Sequence, residues 1–145
     1  MPDRESHIPG STITHLVHDR AQIDALESQL FAEIERRGFS TSSQFAIRLA
    51  FEEAITNAFI HGNKGLADSD ITVEYSVQAE RVCIAIEDHG TGFDPADIPD
   101  PTLEENLHKP SGRGLMLIRS YMTKVWHNDR GNTLMMCYER VNGTA

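Results

Sequence analysis

The sequence predicts an α/β (α+β) two-layer sandwich, with helices on one face of a mixed, mostly antiparallel sheet. Three observations carry that expectation. Apolar residues alternate with period two in strand-like segments along the chain, and helical periodicity marks three blocks between them. No internal repeat or second-domain boundary interrupts the 145 residues, a length that suits one domain with a substantial core.

Taken in order, residues 1–11 are polar, with Pro2, Pro9 and Gly10, and read as a flexible N-terminus. Residues 12–18 alternate Ile13, His15 and Val17 with Thr14, Leu16 and His18, which suits a strand. Asp19 is placed to cap a helix running to about Arg37, with Ile23, Leu26, Leu30 and Ile34 at helical spacing and Gly38 at its end. A second helix is expected over 43–63, capped by Ser42 or Ser43 and closed by Gly62 and Gly65. Ile71, Val73, Tyr75 and Val77 predict a half-buried strand, and a turn over 78–81 leads into the apolar run 82–86, a buried strand ending at Asp88. A third helix runs from Leu115 to about Met122. Residues 124–128 and 133–140 flank Asp129-Arg130-Gly131-Asn132, a hairpin signal, and 141–145 form a tail. Trp126 reads as core or sheet packing.

Composition narrows the function classes. The chain has 22 acidic against 13 basic residues, a formal charge of −9, and no Lys/Arg cluster suited to nucleic acid. Its two cysteines, Cys83 and Cys137, lie on apolar strand-like runs and read as reduced core residues rather than as a disulfide or metal site. With no signal peptide or membrane span in the sequence, the expected location is the cytoplasm.

Chemistry is concentrated in three places. On the second helix, Ala46, Ile47, Ala50, Phe51, Ala54 and Ala58 form an apolar arc, and Arg48, Glu52 and Thr56 a solvent face. Glu53 and Asn57 fit neither. They stand one turn apart, on one side, in an otherwise apolar zone. Two explanations fit. They cap neighbouring backbone at the edge of the core, or they pair an acid/base carboxylate with an amide oxygen that ligates a hard cation such as Mg²⁺. His61 continues the same side. Next, Asp88-His89-Gly90-Thr91-Gly92-Phe93 follows the buried strand. An aspartate there suits an exocyclic amine such as that of adenine, and glycines let a backbone approach a ligand closely. By itself, such a turn ends many strands. Last, Lys109-Pro110-Ser111-Gly112-Arg113-Gly114 reads as a loop opening the third helix. A helix N-terminus is a natural phosphate site, although this motif alone equally suits a surface loop. The Pro- and acid-rich stretch 94–111 between the glycine motifs, with a short helix near 103–107, reads as a mobile lid.

In order, Glu53-xxx-Asn57, Asp88-x-Gly90-x-Gly92 and Gly112-x-Gly114 resemble the three boxes of the ATPase superfamily shared by gyrase, the ninety-kilodalton heat-shock chaperone, histidine kinases and MutL. Within it, Glu52-Glu53-Ala54-Ile55-Thr56-Asn57-Ala58-Phe59-Ile60-His61-Gly62 and Gly112-Arg113-Gly114-Leu115-Met116-Leu117-Ile118 are most similar to bacterial anti-sigma-factor serine/threonine kinases. The resemblance covers about residues 12–140 and implies a single ATP-binding kinase domain of the histidine-kinase-like fold. It implies Glu53 as the general base and Asn57 as the ligand of the Mg²⁺ that bridges the ATP phosphates. It implies Asp88 at the adenine amine, Gly90, Gly92 and Phe93 shaping the adenine pocket, and His61, Ser111, Gly112, Arg113, Gly114 and Leu115 around the nucleotide. It further implies a sigma factor and a phosphorylated antagonist protein as partners and, by analogy alone, a homodimer. Two other readings stand beside it: a regulator that uses ATP as a conformational ligand without phosphotransfer, and a histidine-kinase-type ATPase domain acting in trans.

Overall fold

The computed structural model describes residues 8, 10–62, 70–89, 110–128 and 132–140, without the side chains of 61, 62 and 110–115. The elements run β1 (Thr12–Val17), α1 (Arg20–Arg36), α2 (Thr41–Thr56), a π-helical turn (Asn57–Gly62), β2 (Asp70–Val77), β3 (Arg81–Glu87), α3 (Pro110–Tyr121), β4 (Lys124–His127) and β5 (Thr133–Glu139). The five strands form one sheet in the order β1-β2-β3-β5-β4. Each of these pairings is antiparallel, so the expected mixture of directions gives way to an antiparallel ladder.

Period-two alternation sorts the strands into two faces. Leu16, Ile71, Val73, Tyr75, Val82, Ile84, Ile86 and Met136 point into the main core with the helices' Ile23, Leu26, Leu30, Ile34, Ile47, Phe51, Ala54, Phe59 and Ile118. The opposite face carries Cys83, Ala85 and Met135, packed with Ile8. This face is less open than alternation suggested. Thr72 and Glu74 on β2 are buried, and Ile8 and Ser11, expected to belong to a flexible terminus, reach the Glu74 carboxylate. The Ile8 N–H donates to the Glu74 carboxylate at 3.0 Å, and the Ser11 hydroxyl donates to the same oxygen. A buried carboxylate needs such donors, and Glu74 recruits them from the terminus.

Helix ends follow local chemistry. Asp19 caps α1 by accepting the Gln22 N–H at 3.2 Å, and Gly38 leaves the helix at φ +79°, where a side chain is strained. The cap of α2 is Ser40, whose hydroxyl accepts the Ser43 N–H at 3.1 Å, rather than Ser42 or Ser43. Two features differ from the sequence expectation for the motif segments. The α-helix gives way at Asn57 to a wider π-helical turn, covered by Phe59, whose ring stacks on His18 at 4.7 Å. Helix α3 begins at Pro110, not Leu115, which brings Gly112 and Gly114 into its first turns. Proline is favoured at the first helical position, because its ring presets φ and its missing N–H is not needed there.

The cysteines require a correction as well. Cys83 and Cys137 are direct partners across β3 and β5, with Cα atoms 4.1 Å apart, and are joined as a disulfide. Trp126 lies on the sheet as expected but stays 43% exposed at its edge.

Candidate functional site

The α2 side chains divide between two neighbours. Arg20 at the start of α1 reaches across to Glu52 with two nitrogens, at 2.8 and 3.2 Å, while its Nε donates to Asp24 at 2.8 Å. Arg48 donates to Glu27 of α1 at 2.8 Å and lies 4.1 Å over the Phe31 ring. Glu27 is the buried member of this network, 5% exposed, with Arg20 also donating at 3.3 Å. Burial and the adjacent Glu52 carboxylate push Glu27 up to about 7, and Arg20 holds Glu52 below the usual carboxylate range. The expected solvent face of Arg48 and Glu52 is therefore an ion-paired seam between α1 and α2.

One residue further, a rotation of about 100° turns Glu53 away from Arg20. Glu53 and Asn57 are both half-buried, one turn apart, neither in the core nor on the open surface. Leu49 beside them is half-buried and Ile60 exposed, so the zone that looked apolar on the helical wheel is an open rim. Asn57 is also where the helix widens. Its N–H donates to the Glu53 and Ala54 carbonyls, and the π-helical turn carries the chain on through His61, whose side chain is not described. Wide turns of this kind recur at functional sites. Helix α3 packs against both α2 and this turn, and β2 touches the turn from below.

The strand end at Asp88 is pinned by a residue that sequence reading passed over. The Asp88 N–H donates to the Asn132 carbonyl at 2.9 Å, and the Asn132 amide donates back to the Asp88 carbonyl at 3.4 Å. Asn132 is buried and is itself held by Asn128, which donates to its Oδ1 at 2.8 Å and accepts its N–H at 3.1 Å. Thr133 adds a bond to Glu87 at 3.3 Å. His89 is drawn to Asp70 at the start of β2, Nε2 to Oδ1 2.9 Å. The hairpin signal contained Asn132, but only as a turn residue.

Helix α3 thus packs beside the helix and turn that carry Glu53 and Asn57, and β2, which pairs with β3, also contacts that turn. Glu53, Asn57 and Asp88 have described side chains. Those of His61, Ser111, Arg113 and Leu115 lie outside the description, as do Gly90, Gly92 and Phe93 and the expected lid with its short helix; Gly112 and Gly114 are placed by the α3 backbone alone. An amide oxygen one turn from a carboxylate is a hard-oxygen donor set. It fits a Mg²⁺ that keeps waters and phosphate oxygens as its other ligands.

Residues 16–138 match the model of the histidine kinase-like ATPase domain. A protein of Listeria monocytogenes named serine-protein kinase RsbW is 32% identical over 111 residues, covering 70% of this chain and 69% of its own. A protein of the same name from Oceanobacillus iheyensis is 30% identical over 70% of this chain and 68% of its own. An anti-sigma F factor of Bacillus cereus is 29% identical over 72% and 77%. The chain belongs to the histidine kinase-like ATPase domain family, within its group of anti-sigma-factor serine kinases.

Proposed function

We propose that this protein is an ATP-dependent serine/threonine kinase that acts as an anti-sigma factor in the cytoplasm, binding a sigma factor and phosphorylating an antagonist protein. The observation that carries this reading is the half-buried Glu53–Asn57 pair, set where α2 widens and α3 packs beside it. Phosphoryl transfer asks for positioning, charge neutralisation and a base more than for covalent chemistry. In this reading Glu53 takes the proton of the incoming serine or threonine hydroxyl. The Asn57 amide oxygen holds Mg²⁺, which when bound neutralises phosphate charge. Backbone N–H groups in the first turns of α3 point along the helix axis toward the phosphates, and Gly112 and Gly114 leave room for their approach. Asp88 accepts the adenine amine, its backbone fixed by Asn132. The sigma factor is supported by the name of the anti-sigma F factor relative; the antagonist and a homodimer are proposed from the family resemblance alone.

The test is phosphotransfer in native cell extract with γ-labelled Mg-ATP, comparing the protein with Glu53→Gln. An acid-stable labelled protein that depends on Glu53 is the expected result. No label despite ATP binding would replace the kinase with an ATP-gated binding protein. An acid-labile label would point to histidine phosphorylation.

A further inference from the structure

We propose that Cys83 and Cys137 form a reversible redox modification site, a thiol pair that peroxide converts into a disulfide across the sheet. The two are direct partners in the β3–β5 ladder, with Cα atoms 4.1 Å apart and the sulfurs joined. Both lie on the sheet face away from the helices, where Cys83 packs with Ile8, Ala85 and Met135. The pair is unequal in access. Cys137 is 5% exposed, whereas Cys83 is half-buried, so solvent oxidants and reductants reach Cys83 first. The chain holds no third cysteine to divert the chemistry.

The reaction balances with peroxide as the oxidant. The Cys83 thiolate attacks one peroxide oxygen and the O–O bond breaks, leaving a sulfenic acid and, after proton uptake, water. The Cys137 sulfur then attacks the Cys83 sulfur, the S–O bond breaks and a second water leaves. Reduction runs through the exposed side. A dithiol attacks at Cys83, and its second sulfur completes the exchange.

The bond closes a span of 54 residues holding both Asp88 and the start of α3. It ties β3 and β5 together at the end remote from the Asp88–Asn132 bonds. A covalent tie over so long a loop restricts the unfolded chain, so the oxidised form has the higher melting temperature, by about 5–10 °C. The half-seat for Ile8 beside Cys83 makes the docked terminus the nearest part of the fold to feel the change.

The experiment uses the full chain, reduced with a dithiol and desalted, then exposed to hydrogen peroxide, alkylated with a maleimide and weighed intact. The expected sequence is two maleimides on the reduced protein, none after peroxide with the mass lower by two hydrogens, and two again after dithiol treatment of the native protein. Cys83→Ser and Cys137→Ser each lose the peroxide-induced rise in melting temperature. Persistence of both thiols under peroxide, further oxidation to sulfinic acid instead of ring closure, or a disulfide that native-state dithiol cannot open would each overturn the proposal. The mass measurement on the unmutated protein decides the matter even where a variant folds poorly.

Discussion

Glu27 gives the fold a pH dependence that one substitution isolates. Its carboxyl is pushed from 4.5 up to about 7 by burial and by Glu52 beside it, against the pull of Arg48. A carboxyl whose folded pKa exceeds its unfolded pKa binds its proton more tightly in the folded state between the two values. Its contribution is fully present below about 4.5 and is lost as pH rises toward 7. Each unit is ~1.4 kcal/mol, which sets a ceiling of roughly 3 kcal/mol. The facing Arg20 and Arg48 side chains are 57% and 48% exposed, and solvent screening around them reduces the expected effect to about 1–2 kcal/mol. His127 works in the opposite direction. Burial, and then Arg119, bring it from 6.5 down to about 4, so its contribution is lost as pH falls through that range. The raw stability curve therefore mixes two opposed slopes. Subtracting the curve of Glu27→Gln cancels His127 and leaves Glu27 together with its coupling to Glu52. Urea unfolding of both proteins at about pH 5 and about pH 8 is the assay. The stability of the unmutated protein relative to Glu27→Gln is expected to be greater at the lower pH by about 1–2 kcal/mol. A difference that stays constant, or grows toward the higher pH, refutes the assignment.

Four further outcomes are expected. Asp88→Asn replaces the carboxylate proposed for the adenine amine with a neutral amide, a weaker acceptor that also donates, and lowers ATP affinity by roughly 10–100-fold, with less discrimination against GTP; equal ATP and GTP binding to that of the parent, by calorimetry, would remove Asp88 from the site. Asn57→Ala weakens Mg-ATP by at least about tenfold at little cost in stability, as it removes the proposed metal ligand from a half-buried helical position. Asn132→Ala costs about 1–2 kcal/mol in denaturant titration and weakens ATP as well, because it frees Asn128 and the Asp88 carbonyl. Glu52→Gln keeps phosphotransfer within about tenfold, whereas Glu53→Gln loses on the order of 10²–10⁴ in rate.

The elements were legible where a single local signal decided them. Asp19 before the Ile23–Leu26–Leu30–Ile34 row fixed α1, and alternation about Asp129-Arg130-Gly131-Asn132 fixed the β4–β5 hairpin strands. Signals that compete locally were less readable. Ser40, Thr41, Ser42 and Ser43 all suit a cap, and only backbone geometry selects Ser40. Register was out of reach for the same kind of reason. A shift of one residue between β3 and β5 would turn Cys83 and Cys137 to opposite faces, and nothing local to either apolar run forbids it. Asn132 acts on Asp88 from 44 positions away, a pairing that only the folded sheet creates. Glu27 did leave a trace. It interrupts the i, i+4 row Ile23–Glu27–Phe31 on the buried side of α1, and a charge in such a row asks for arginines from a neighbouring helix.

The adjacent carboxylates of Glu52 and Glu53 show why the site needs the fold as well as the motif. In sequence they are equivalent acids on one helix, and either can be written as a base. In three dimensions Glu52 is held by two nitrogens of Arg20, which lowers its proton affinity and fixes it toward α1. A carboxylate so engaged is a poor base, since protonating it means giving up the guanidinium. Glu53, about 100° further round the helix, is half-buried like Asn57 one turn on. The seam with α1 thus serves the proposed chemistry indirectly. By consuming Glu27 and Glu52 in ion pairs it fixes the rotation of α2 about its axis, and that rotation is what presents Glu53 and Asn57 together.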